Sequence, residues 1–225
     1  MNDFSSYDKN SMDETIKEYR VFLDSFRLQA TNAINSWETY KKLQLEKNLF
    51  NEIFSRKRAI NTFNIIQFSL IQSTWIALSK LWDSKTRDKN NVRFSMIYTI
   101  LKPNSFYLRF CDKYGNDYED IKIDLQNKIS FFVNTYDKYI NGHKQHIYIE
   151  LKNIRNNYLS HANLNETLKY SHTMDELDEF YTDSIRMLEI AYSIFGVVIS
   201  LSDVCDIRQK DAESFVNILR RLSKP

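Results

Sequence analysis

Four histidines, His143, His146, His161 and His172, are the side chains able to move a proton near neutral pH. His161 has the most informative neighbours, because Arg155 and Asn156 precede it in the run Arg155-Asn156-Asn157-Tyr158-Leu159-Ser160-His161. A guanidinium can hold a phosphate and stabilise the charge of a phosphoryl transition state. An adjacent amide can orient either partner. Together these groups suffice for metal-independent RNA cleavage. His161 would deprotonate a ribose 2′-hydroxyl or protonate the departing 5′-oxygen, while Arg155 neutralises the phosphate between them. The spacing alone is weak support, since chance supplies roughly 0.6 such pairs in a chain of this length. On an ideal helix Arg155 and His161 also point about 120° apart. A long arginine side chain, or a helix ending between them, has to close that gap. The competing structural role for His161 is a buried, hydrogen-bonded position on the apolar stripe one step beyond Tyr158.

Other chemistry is poorly represented. There is no Gly-rich phosphate loop, no H-E-x-x-H and no C-x-x-C. His143, His146 and Glu150 could form one face of a metal site, but no partner motif accompanies them. The reading is therefore a reaction without metal or cofactor. Cys111 and Cys205 fit neither a zinc spacing nor a disulfide framework, which points to a reducing compartment.

The elements that must position the motif are helices. Gly occurs three times and Pro twice in 225 residues, leaving little material for tight turns. Hydrophobic residues make up 43 % and aromatics 14 %, enough for a substantial core. Residues 1–11 read as a flexible tail, and 12–225 as one helical domain. Ile16, Tyr19, Leu23, Phe26, Ala30, Ala33 and Trp37 set a helical stripe in a first helix expected to reach about residue 48. A turn is expected across 48–57. Phe63, Ile66, Leu70, Ile71, Trp75, Leu78 and Leu81 predict a second helix ending at Asp83, followed by a polar loop. A short helix follows over 94–101, closed by Pro103. After a turn at 112–118, a helix over 118–139 stops at Asn141-Gly142. The next begins near Lys144 and presents Ile147, Leu151, Ile154, Tyr158 and His161 on one face. A helix from Met174 to about Leu201 and a short closing one over 212–222 complete the chain. The apolar run 190–201 is too short to span a bilayer and reads as the central core helix. The polar, acidic start argues against a signal peptide, so a cytoplasmic protein without membrane attachment is expected.

The run IRNNYLSHANLN resembles the signature of HEPN-domain proteins, in which an arginine is followed by a polar residue and a histidine closes the motif four to six residues later. Ser160 matches the small residue common before that histidine. Upstream, Trp75–Asp83, a polar loop and Phe94–Leu101 look like the middle of the abortive-infection, AbiU-type branch, whose long helix ends in a Leu-x-Asp-like turn. The resemblance covers roughly residues 40 to 200. It departs at Ala162-Asn163, where relatives often carry charge.

The resemblance implies an all-α bundle of about four long antiparallel core helices plus short extra ones. It implies a homodimer in which two motifs form one composite cleft, and an endoribonuclease acting on tRNA, mRNA or rRNA as a toxin or phage-defence effector. Arg155, His161 and Asn156 would be catalytic, with Tyr158, Asn157 and Ser160 against the substrate. An antitoxin or another defence protein is the implied partner. Some relatives have lost activity and serve as binding or scaffolding modules, which is the alternative role. Lys41-Lys42, Arg56-Lys57-Arg58 and Lys85-Thr86-Arg87 are the basic groups available to RNA phosphates. The net charge of +2 neither demands nor excludes such a partner.

Overall fold

The computed structural model describes residues 12–54, 59–83, 93–114, 119–156 and 173–222. Among these there are nine helices and no strand: α1 Met12–Leu45, α2 Lys47–Phe54, α3 Ala59–Leu81, α4 Phe94–Leu101, α5 Ser105–Tyr114, α6 Glu119–Ile140, α7 Gln145–Ile154, α8 Met174–Ile194 and α9 Leu201–Leu222. The all-α architecture expected from the scarcity of turn formers is therefore present. No helix among the described residues is long and apolar enough to cross a membrane.

The apolar stripe of α1 is buried as its period requires, from Tyr19 and Leu23 through Phe26, Ala30 and Ala33 to Trp37. α1 ends at Leu45 and the chain breaks at Glu46; 55–58 lie outside the described residues, and within the expected turn at 48–57 the residues to Phe54 belong to the short helix α2. Phe50 and Phe54 lie one turn apart there, and Phe50 is fully buried. Four polar residues among its eight blur the sequence pattern. α5 also goes beyond the sequence reading, being anchored by the fully buried Phe106.

A larger correction concerns α8. Its apolar continuation does not remain helical to Leu201: the helix ends at Ile194, and Gly196 takes φ +73. Arg20 donates from Nε to the Phe195 carbonyl at 2.7 Å and from Nη2 to that of Gly196 at 3.2 Å, satisfying carbonyls at the helix end. Val198 beyond it is 98 % exposed, so the run 190–201 is not one core helix. The closing helix α9 correspondingly starts at Leu201 rather than near Ala212.

The chain divides into two compact units, the described residues of Met1–Leu28 with Ser79–Ile199, and those of Gln29–Leu78 with Ser200–Pro225. In the second, Leu43, Phe50, Phe63 and Val216 form a core, with Phe50 and Phe63 stacked at 4.2 Å. Gln209 donates to the buried Glu38 at 2.8 Å, and Arg220 pairs with Glu46 at 2.6 Å.

In the first unit, α6 packs on α4, α5, α7 and α8. Its centre is Trp82, just past the end of α3 and 1 % exposed. The indole meets Phe94 edge-on at 5.2 Å, stacks on Tyr136 at 5.7 Å and lies 4.9 Å from Phe180. Its N–H donates to Ser184 Oγ at 2.8 Å, and that hydroxyl donates to the Phe180 carbonyl at 2.6 Å. A buried indole fixed by packing and a hydrogen bond leaves the next residue, Asp83, little freedom.

Candidate active site

α7 buries Ile147, Glu150, Leu151 and Ile154, a single stripe at three- and four-residue spacing. That burial fixes the rotation of the helix. It turns the adjacent positions Tyr148, Lys152 and Arg155 toward the end of α3, where they enclose a cleft of about 10 Å³ with Ser79, Trp82 and Asp83. The space suits a single water. At its edge Arg155 Nη1 lies 3.0 Å from Asp83 Oδ2, with 25 % and 21 % of the two side chains exposed. Arg155 Nε donates to Asn156 Oδ1 at 3.1 Å. The guanidinium is thus held on two edges, by a carboxylate set against the aromatic core and by the amide of its neighbour.

The regular part of α7 ends at Ile154, and Arg155 and Asn156 continue it as a wider π-type turn. Arg155 itself keeps α-helical backbone angles, and its N–H donates to the Leu151 and Lys152 carbonyls.

Of the residues singled out in the sequence, Arg155 and Asn156 are brought together. His161, Asn157, Tyr158 and Ser160 lie outside the described residues, as do His172, Arg56-Lys57-Arg58 and Lys85-Thr86-Arg87. Lys41 pairs with Glu38 at 3.1 Å, and Lys42 with Glu213 at 3.6 Å. Neither is a bare cation awaiting a phosphate. Asp83 is the site residue that motif reasoning passed over, serving there only to mark the end of a helix. Its signal was a carboxylate directly after a buried tryptophan, but a pairing across 72 positions leaves no local trace.

The other histidines are placed differently. His146 Nε2 lies 3.2 Å from Glu176 Oε1, and Lys144 Nζ lies 3.1 Å from the same oxygen. Glu176 also closes a capping box with Thr173 at the start of α8. Its carboxyl is held down to about 2, first by the Thr173 backbone N–H and then by the Lys144 ammonium. Nearby, burial and the Asp183 carboxylate push the Tyr139 hydroxyl far above the usual phenol range. Among the described residues no three His, Cys, Asp or Glu side chains are grouped to hold a metal ion.

The all-α arrangement of the described residues is that of an HEPN-like bundle. The sequence profile of the AbiU2 HEPN family matches residues 16–215, and the chain belongs to that family. Membership assigns it to the abortive-infection, toxin-like class. No curated protein and no solved structure matches the chain significantly.

Proposed function

We propose that the protein is a metal-independent endoribonuclease acting as a toxin or phage-defence effector. The observation that carries this reading is Arg155, held in a cleft by Asp83 and Asn156 in a chain of the AbiU2 HEPN family. A guanidinium fixed before substrate arrives is suited to a charge that develops on a phosphate.

In the proposed reaction, neutral His161 of one copy takes the ribose 2′-hydroxyl proton. The 2′-oxygen attacks the adjacent phosphorus, and the bond from phosphorus to the 5′-oxygen breaks. Protonated His161 of the second copy supplies the proton to that oxygen. The products are a 2′,3′-cyclic phosphate and a 5′-hydroxyl. Arg155 neutralises the phosphate oxygens throughout, Asn156 orients the guanidinium, and Tyr158, Asn157 and Ser160 contact the RNA. The functional form is a homodimer in the cytoplasm, restrained by an antitoxin or another defence protein.

The test is cleavage of tRNA, mRNA and rRNA in excess EDTA by wild type, Arg155→Ala and His161→Ala. Cleavage by wild type alone supports the reading. Equal rates for all three, or dependence on an added divalent ion, would overturn it.

A further inference from the structure

The unit that holds Arg155 carries a second concavity. α6 buries Leu125, Phe132, Tyr136 and Tyr139 on one face. A different stripe, Gln126, Ile129, Ser130, Val133 and Asn134, recurs at the spacing of a single helical face. The connection from α4 to α5 borders this stripe with Leu101, Lys102, Asn104 and Tyr107, leaving a groove of about 220 Å³.

The groove is chemically sorted. Leu101 is buried and Ile129 and Val133 are half-buried, giving an apolar floor. Exposed around it stand three carboxamides, Asn104, Gln126 and Asn134, and the hydroxyl of Ser130. None of these four side chains hydrogen-bonds to another described residue. A carboxamide offers a donor and an acceptor in one plane, the pattern that complements the paired donors and acceptors on a base edge. Among the described residues no carboxylate lines the groove; the charged one is Lys102, which donates to the Tyr98 hydroxyl and pairs with Asp137 at 3.8 Å. The half-buried Tyr107 supplies a ring for stacking.

We infer that this groove receives one unstacked base of a single-stranded RNA, its edge read by Gln126, Asn134 and Asn104, and that it acts as a specificity subsite. That the base belongs to an RNA substrate rests on the ribonuclease reading above; recognition of a base does not.

The experiment is an NMR titration of the full chain with each of the four nucleosides and, separately, with ribose 5-phosphate. At least one nucleoside should shift the amides of residues 101–107 and 126–134, and ribose 5-phosphate alone should not. The double variant Gln126→Ala, Asn134→Ala should bind that nucleoside about tenfold more weakly or worse. The same variant should lose base preference at one position when it cuts a randomised RNA pool. No nucleoside-dependent shift, equal binding by the double variant, or shifts reproduced by ribose 5-phosphate would overturn the inference. Nucleoside binding in the groove by a protein that cuts no RNA would overturn only the ribonuclease reading.

Discussion

Asp83→Ala removes the carboxylate that meets Arg155 while leaving the aromatic packing of Trp82 in place. The pair is close, at 3.0 Å, and three quarters or more of each side chain is covered. Fully exposed pairs contribute about 0.2–1 kcal/mol. Breaking a fully buried pair costs about 3–5 kcal/mol because a charge is left stranded. A pair between these limits should be worth about 1–2 kcal/mol. In a protein of this size that loss lowers the melting temperature by about 2–8 °C. Thermal melts of wild type, Asp83→Ala, Arg155→Ala and the double variant close a cycle whose coupling should be about 1 kcal/mol. A coupling below about 0.3 kcal/mol would refute the claim that the carboxylate holds the guanidinium. Asp83 is a positioning residue in this account, so Asp83→Asn should lower kcat by about tenfold or more. KM should stay level or fall, because a negative charge near the RNA is gone. A raised KM with unchanged kcat would refute the positioning role.

Ser184→Ala strands the buried Trp82 N–H and should cost about 1–3 kcal/mol in urea unfolding; adding Trp82→Phe should make the serine substitution nearly neutral, and a full additive loss would contradict the bond. Gly196→Ala should cost about 1–2 kcal/mol, since φ is +73 and a Cβ would lie 2.6 Å from Arg20 Nη2; an unchanged urea midpoint would speak against that turn. Glu176 is held down to about 2, below the ordinary carboxylate range, so its stabilisation is complete above about pH 5 and is lost as pH falls towards 2. The deficit of Glu176→Gln relative to wild type should therefore shrink between about pH 6 and about pH 2.5, and a deficit constant with pH would contradict the assignment.

Long amphipathic helices were legible because burial follows their period. α4 has the bounds the sequence predicts, α3 and α6 end close to theirs and α7 starts close to its own, and Trp75, Phe132 and Leu151 are buried in phase. The errors fall where local pattern and packing disagree. α2 and α5 are short, with polar residues interrupting the apolar pattern, and each has one buried phenylalanine that a short periodic pattern does not reveal. α8 was extended through Gly196 because apolar residues continue past it, whereas the backbone there turns under the guanidinium of Arg20. Arg155 and Asn156 stand out in the sequence by residue type together with the HEPN-like run around them. Their anchoring by Asp83 does not, since a contact between the ends of two helices distant in sequence is made by the fold.

The most direct test of the central claim compares one RNA sequence with its fully 2′-O-methylated counterpart, in EDTA, with analysis of the ends produced. The account predicts that wild type cuts only the unmodified RNA and leaves 2′,3′-cyclic phosphate and 5′-hydroxyl ends. It also predicts that Arg155→Ala cuts at least about a hundredfold more slowly. Cleavage of the methylated RNA, or an undiminished rate with Arg155→Ala, would contradict it.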